Sequence, residues 1–355
     1  MLVTRHQNYS HNAATTQRYN FKIEFVVALC ETIFCDRILK HDLRGGLIPP
    51  VIIQYLSPNM LRKILRRMTF LILAMLGAWI MAVQAGCFSM RTPDRAWAGK
   101  LQEKGQYCAP QFLDVPDAAG RRIHAVYVCA ADSLPLVVLV HGSPGSADAF
   151  VEYLADTSLT HQVQLLAMDR PGFGYTEGFG KPEPSMEAQA NAVFALVNHL
   201  APQQKIVLVG HSLGAPVVAR FAMQYPERTA GLVLVSASID PEQEEHPWWQ
   251  QAVDRPPLQW LTPKSLWTSN AEIIPLEKEL EKMIPFWEKI TCPVHLLHAK
   301  NDRLVPVENA SFAQKMLVNS SKLHMEILQK GDHFFLWTEP HLVKKAILEL
   351  SKGKQ

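Results

Sequence analysis

Ser212 has the clearest chemistry in the chain. It lies in Val207-Leu-Val-Gly-His-Ser-Leu-Gly-Ala215, so Gly210, Ser212 and Gly214 form a Gly-x-Ser-x-Gly string between an apolar run and a helical stretch. A serine hydroxyl can attack a carbonyl when a sharp strand-to-helix turn exposes it. Flanking glycines remove the side chains that would clash in such a strained turn. The helix that follows turns its positive end toward the charge that develops. The hydroxyl also needs a base, and the base needs an acid to orient it. Late in the chain His333 stands in Gly331-Asp-His-Phe-Phe335, after a strand-like run and before a helix. His341 falls inside that helix and is expected at the surface. Asp302 follows another apolar run in Ala299-Lys-Asn-Asp-Arg-Leu-Val-Pro306, Asp240 follows the run ending near Ser236, and Asp332 adjoins the histidine as a turn residue. No phosphate loop, Gly-x-Gly-x-x-Gly string or cysteine–histidine cluster at zinc spacing occurs. No cofactor or metal is therefore expected.

These residues need a scaffold, and the chain supplies one from Pro135 onward. Short apolar runs at Leu136–Val140, Val163–Met168, Ile206–Val209, Gly231–Ser236, Val294–His298 and Leu323–Ile327 alternate with helical stretches over 147–157, 186–200, 213–225, 307–317 and 338–351. Runs without strict alternation suit strands buried on both faces. Strand–helix alternation predicts a doubly wound, mostly parallel α/β sheet. Upstream, Phe112–Val115 and Ile123–Val128 flank a turn within Pro116–Gly120 and read as an antiparallel hairpin. Residues 240–288 break the alternation. They hold seven prolines and five tryptophans, with a helical piece near 276–284, and are expected to form an inserted lid. Trp248, Trp249, Trp260 and Trp267 would line or cover an apolar substrate pocket, since that much apolar area needs a use.

The motifs together resemble the α/β-hydrolase fold family, over about Pro135 to Leu350. The string His141-Gly-Ser-Pro-Gly-Ser146 is similar to the family's turn after an early strand. The resemblance implies an oxyanion hole made by the backbone N–H groups of Ser143 and Leu213, with the His141 side chain bracing the turn. Asp169-Arg-Pro-Gly-Phe-Gly174 is similar to another family turn and implies a structural role. The family order Ser, Asp, His implies Ser212 as nucleophile, Asp302 as acid and His333 as base, with Asp240 as the alternative acid. Ala299 stands where the family has glycine. The implied activity is hydrolysis of a small, hydrophobic, ester-like substrate through an acyl-enzyme. The same triad also serves carbon–carbon hydrolysis, perhydrolysis and acyl transfer, and a silent binding protein is the rival from another class. Epoxide and carbon–halogen chemistry use Asp as nucleophile in this family, so Ser212 disfavours them.

The front of the chain is different in kind. Before Cys87 there are ten basic and four acidic residues, against 25 and 29 in the remainder. The excess basic charge therefore belongs to the leader. No basic stripe marks the body, so no nucleic-acid partner is expected. Arg62, Lys63, Arg66 and Arg67 precede an apolar run from about Phe70 to Val83, and Ala85 and Gly86 precede Cys87. This is the layout of a secretory signal. Gln84-Ala-Gly-Cys87 resembles a bacterial lipobox, with Gln84 where that pattern prefers an aliphatic residue. An uncleaved anchor is the second reading, because no charge falls between Arg67 and Arg91; a buried core helix is the third. The expected organisation is an N-terminal extension over 1–59, a signal peptide or membrane anchor over 60–87 and a hydrolase domain over 88–355. The expected location is a bacterial envelope, exported and membrane-associated, with the cytoplasm as alternative. Export would allow Cys108 and Cys129 to pair across the hairpin if Phe112 faces Ala125 and the turn centres between Ala118 and Ala119. The alternative is two unpaired thiols.

Overall fold

The computed structural model describes residues 58–129 and 131–352. Nearly all of the expected 1–59 extension, with Cys30 and Cys35, lies outside them. The chain divides between Ala74 and Met75 into two units. The described part of the first is the beginning of helix α1 (Pro58–Gln84), which continues past the division. At 1.5 Å per residue α1 is about 40 Å long. Its stretch Arg62–Gln84 has a mean hydropathy of 1.7 and is long and apolar enough to cross a membrane. The helix stops at Gly86, which takes φ +81°. Cys87 N–H donates to the Ala82 carbonyl at 3.1 Å and Gly86 N–H to the Val83 carbonyl at 3.1 Å. That pair of bonds is a Schellman cap, and glycine suits its left-handed position. Ala85 and Gly86 thus have a structural use of their own, whether or not a peptidase cuts there.

The second unit is built on an eight-stranded sheet in the order β1-β2-β4-β3-β5-β6-β7-β8. Its strands are β1 (Gln111–Pro116), β2 (Arg122–Val128), β3 (Leu136–Val140), β4 (Gln164–Met168), β5 (Ile206–His211), β6 (Thr229–Val235), β7 (Val294–Ala299) and β8 (Leu323–Leu328). The β1–β2 and β2–β4 pairs are antiparallel and all others parallel. Every residue of β3, β4 and β5 is buried, which is why these strands read as unbroken apolar runs. One face is covered by α3 (Met186–Leu200), α4 (Gly214–Gln224), α7 (Leu276–Met283) and α8 (Glu308–Met316). The other is covered by α2 (Asp94–Gln102), short turns over residues 147–160 and α9 (Pro340–Ser351). Between β6 and β7 the chain forms no strand. It folds as short helical pieces that include α5 (Trp248–Val253) and α6 (Lys264–Ile273). The chain leaves β3 for β4 on one side and returns to β5 on the other, so the strand order reverses at β3. Ligand crevices in open α/β sheets form at the carboxyl ends of the strands at such a switch point.

Three expectations are corrected. The helix expected over 147–157 is broken into short turns, because the Asp156 carboxylate accepts the N–H groups of Ser158 and Leu159 and starts a new turn, Thr157–Thr160. The helix expected from 338 begins as a turn at Phe335–Thr338 and restarts at Pro340, because a residue before proline is pushed out of helical geometry and Glu339 sits at φ −128°, ψ 50°. The hairpin register differs by one residue: Phe112 faces Val126 and Leu113 faces Ala125. Asp117 sets it, taking the N–H groups of Ala119 and Arg121 while Gly120 adopts φ +79°. The turn therefore holds an odd number of residues. A one-residue slip reverses faces. Cys129 packs with the core on one side of the sheet and Cys108 with the core on the other. Both thiols are free, so the disulfide does not form.

Candidate active site

Ser212 stands on the turn between β5 and α4 with φ +53°, a left-handed value that disfavours any residue with a Cβ. The glycines around it answer to close approach. A Cβ on Gly210 would lie 2.5 Å from the Gly214 carbonyl oxygen, and one on Gly214 only 2.3 Å from that of Val140. The first contact tightens the elbow. The second lets α4 press against the end of β3. Ser212 remains partly accessible, while His211 and Leu213 beside it are buried. A Cβ on Gly142 would lie 2.8 Å from the Ser212 Cβ, so the turn after β3 abuts the serine directly. Among the described residues no acceptor takes the N–H of Ser143 or of Leu213. Both expected oxyanion donors are therefore free of protein partners.

β7 and β8 are parallel neighbours, so their carboxyl-end loops emerge side by side. The first carries Asp302 and the second His333, whose Nδ1 lies 2.8 Å from Asp302 Oδ2. The other carboxylate oxygen, Oδ1, accepts the N–H groups of Leu304 and Val305, each at 2.9 Å. Burial alone would raise the Asp302 pKa. The hydrogen bond and charge of His333, with those two N–H donors, outweigh burial and hold it below the usual carboxylate range. An ionised Asp302 makes Nδ1 the protonated nitrogen and leaves Nε2 of His333 as a base. The His211 ring lies 4.9 Å from the His333 ring, and its Nε2 donates to the His333 carbonyl at 3.2 Å. Burial, helped by the charge of His333, pushes His211 down to about 3. His211 is thus a neutral brace linking the serine turn to the histidine loop.

The other expected residues have distinct places. Asp240 caps the turn Pro241–Gln243 through the Glu242 N–H at 3.0 Å, with its carboxyl pushed up by burial, and makes no contact with His333. Asp332 accepts the Phe334 N–H at 2.9 Å as a turn residue. His341 is exposed and lies beside Glu339. His141 is buried: Nε2 accepts the Arg170 N–H at 3.0 Å and Nδ1 donates to the Gly142 carbonyl at 2.7 Å. Burial, with the charge of Arg170, pushes it down to about 3, which keeps it neutral for that double role. Trp248, Trp249 and Trp260 are 83%, 49% and 52% exposed, so these three do not form a buried pocket wall. Trp267 is half-buried, with its Nε1 on Asp254 at 3.0 Å. Gln84, the odd residue of the lipobox-like string, donates to the Trp260 carbonyl at 3.3 Å, and Trp79 donates to that of Leu261 at 2.9 Å.

Sequence reasoning passed over several residues that shape the site. His211 sat inside the quoted motif without a role. His298, buried on β7, donates Nε2 to the Val305 carbonyl at 3.0 Å and so braces the Asp302 loop. Arg170 belonged to a turn read only as structural, and nothing local marked its partners Gln189 and Glu272. In the same turn Asp169 accepts the N–H groups of Ala147 and Tyr175 and pairs with His124. A Cβ on Gly174 would lie 1.9 Å from the Asp169 carboxyl carbon, which requires glycine there.

Residues 135–266 match the family model for the alpha/beta hydrolase fold. The RutD protein of Escherichia coli O1:K1 / APEC, a proposed carbamate hydrolase, is 26% identical over 250 residues, which are 60% of this chain and 90% of that protein. Epoxide hydrolase B of Mycobacterium tuberculosis (strain ATCC 25618 / H37Rv) is 34% identical over 139 residues, 36% of this chain and 35% of its own length. An uncharacterized hydrolase of Saccharomyces cerevisiae, the PHYLLO protein of Arabidopsis thaliana and an Oryza sativa acyltransferase homologue are matched over only 39%, 7% and 36% of their own lengths. Among solved structures, a membrane phospholipase A described as a bacterial virulence factor superposes with a TM-score of 0.54 at 18% identity, covering 83% of this chain and 100% of that one.

Proposed function

We propose that this chain, which has the α/β-hydrolase fold and matches that family's model over residues 135–266, is a serine hydrolase of ester-like bonds in small, hydrophobic substrates. Ser212 attacks the carbonyl while His333 takes its proton through Nε2. The backbone N–H groups of Ser143 and Leu213 receive the oxyanion. Collapse of the tetrahedral intermediate expels the alcohol, protonated by His333. Water, deprotonated by the same histidine, then releases the acid and restores Ser212. Asp302 keeps the imidazole in the required tautomer and stabilises its charged form. Two preorganised donors contribute about 3 kcal/mol each to the transition state. The residues between β6 and β7 act as a lid over this site, and α1 holds the protein to a membrane.

The observation that supports the reading is a serine on a strained, glycine-flanked elbow whose neighbour His211 packs against His333, itself paired with a buried aspartate held ionised. A fluorophosphonate probe is expected to label Ser212, and a panel of p-nitrophenyl esters of increasing chain length to show turnover that rises toward apolar acyl groups. Ser212→Ala should abolish labelling and turnover without loss of the fold. Near wild-type turnover in that variant would sink the assignment. An intact protein that neither labels nor turns over any ester would favour the binding-module rival.

A further inference from the structure

Four side chains from four separate elements meet beneath the turn that carries Ser143. Arg170 follows β4, Gln189 lies on α3, Glu272 lies on α6 of the insertion, and Ser143 belongs to the turn itself. Arg170, Gln189 and Glu272 are fully buried. The guanidinium uses all five of its N–H donors. Nε donates to the His141 carbonyl at 2.9 Å. Nη1 donates to Gln189 Oε1 at 2.7 Å and Glu272 Oε2 at 2.9 Å. Nη2 donates to the Gly142 carbonyl at 3.1 Å and Glu272 Oε1 at 2.8 Å. Glu272 is similarly saturated, since Oε1 also accepts the Ser143 hydroxyl and Oε2 lies 3.4 Å from Gln189 Nε2.

The clamp bears on the candidate oxyanion donor through the geometry of one peptide group. The Gly142 carbonyl and the Ser143 N–H belong to the same planar trans unit, so they point in opposite directions. Arg170 Nη2 and His141 Nδ1 hold that carbonyl from one side. The N–H is thereby aimed away from them, and no described acceptor claims it.

We propose that Glu272 is a positioning residue for the oxyanion hole, fixing the Gly142–Ser143 peptide by holding the Arg170 guanidinium and the Ser143 hydroxyl together. This deepens the serine-hydrolase reading and rests on it. Glu272 is the only carboxylate among the described ion-pair partners of Arg170. Its removal leaves a fully buried cation uncompensated, and such a group moves or draws in water rather than stay unpaired. The carbonyls that Arg170 holds would then be released. Glu272 belongs to α6, so the insertion takes part in setting the oxyanion donor, and α6 must stay docked for the site to be competent.

Glu272→Gln keeps the shape of the side chain and removes its charge. Its kcat on a p-nitrophenyl ester is expected to fall about 10–100-fold with KM nearly unchanged, because the lost interaction exists only in the transition state. Affinity for a trifluoromethyl ketone, which forms a tetrahedral oxyanion on the serine, should fall by the same factor. Inhibition by the product carboxylic acid should not change. Glu272→Asp should recover part of kcat. If Glu272→Gln does not fold, Arg170→Met/Glu272→Leu removes both charges, avoids the unpaired ion and should show the same selective loss. A folded variant, single or double, with wild-type kcat overturns the proposal. So does a loss of kcat that leaves trifluoromethyl ketone affinity intact. A wild-type protein that neither labels at Ser212 nor turns over esters overturns the serine-hydrolase reading and takes the proposal with it.

Discussion

Asp302 and Asp240 both follow strands that end at the site's edge of the sheet, yet they do different work. The Asp302 side chain is wholly buried, reaches His333 at 2.8 Å and accepts two backbone N–H groups. Asp240 only closes a turn. Asp302→Asn is therefore expected to lower kcat by about 10⁴, the loss known for a triad whose histidine is left in the wrong tautomer. Asp240→Asn should leave kcat within a few-fold of wild type. Steady-state kinetics of the two variants decide the matter, and the reverse pattern would move the acid to Asp240. Residue types and short spacings singled out Ser212, Asp302 and His333 as candidates in the sequence, because each sits in a local turn with its own signature. Glu272 had no such signature. It lies 102 positions from the arginine it pairs with, and its role exists only once α6 has docked.

At the scale of elements, six of the eight strands were legible as apolar runs; in β3 to β7 burial on both faces leaves an unbroken pattern, whereas β8 lies at the edge of the sheet and is only partly buried. The other two were legible as a hairpin, but their register was not. The register expected for the hairpin centres its turn between Ala118 and Ala119, and the Asp117 side chain overrides it by taking two N–H groups. Strand β2, between β1 and β4, is also tied to the turn after β4 by a buried pair, His124 Nδ1 and Asp169 Oδ2 at 2.8 Å. His124 Nε2 lies 3.2 Å from Asp94 Oδ1, a charge contact without hydrogen-bond alignment. Burial alone would lower the His124 pKa, but the hydrogen bond and charge of Asp169, with Asp94 and Asp114 nearby, raise it above its ordinary 6.5. Burial would raise Asp169, but His124 and two N–H donors hold it below 3.8. The signs follow from linkage. The His124 contribution is complete below pH 6.5 and is lost as pH rises through the raised value. The Asp169 contribution is complete above pH 3.8 and is lost as pH falls through the lowered one. His124→Gln should therefore flatten the loss of stability on the alkaline side. Denaturant midpoints measured across pH test this; an unchanged alkaline slope would count against the pair.

For the whole molecule, the apolar composition of α1 was plain in the sequence, while the reason for its end was not. The string Gln84-Ala-Gly-Cys87 resembles a cleavage site, and the Schellman bonds to Ala82 and Val83 show that the same small residues also terminate a helix. Cys87 is exposed. With α1 as membrane attachment, the full-length chain is expected to stay in the pellet after alkaline carbonate extraction, and deletion through Cys87 to release active enzyme into the soluble fraction. The intact mass of the membrane-bound form separates an uncleaved anchor from a lipidated Cys87. Recovery of the full-length chain in the supernatant would refute attachment.

The left-handed backbone of Ser212 has a consequence for how such a sequence persists. A residue with a Cβ at φ +53° costs about 1–3 kcal/mol. Glycine would relieve that strain, at a cost of roughly 0.5–1 kcal/mol from its greater freedom in the unfolded chain. The balance favours glycine, so Ser212→Gly should melt at a higher temperature than the wild type while hydrolysing nothing. In a lineage released from selection for hydrolysis, drift at this codon would run toward the more heat-resistant protein. On the proposed serine-hydrolase reading, a serine kept here marks a molecule that gives up thermal stability to retain a nucleophile. Calorimetry of Ser212→Gly beside wild type measures how much; a lower melting temperature for the glycine variant would show that the elbow stores no such strain.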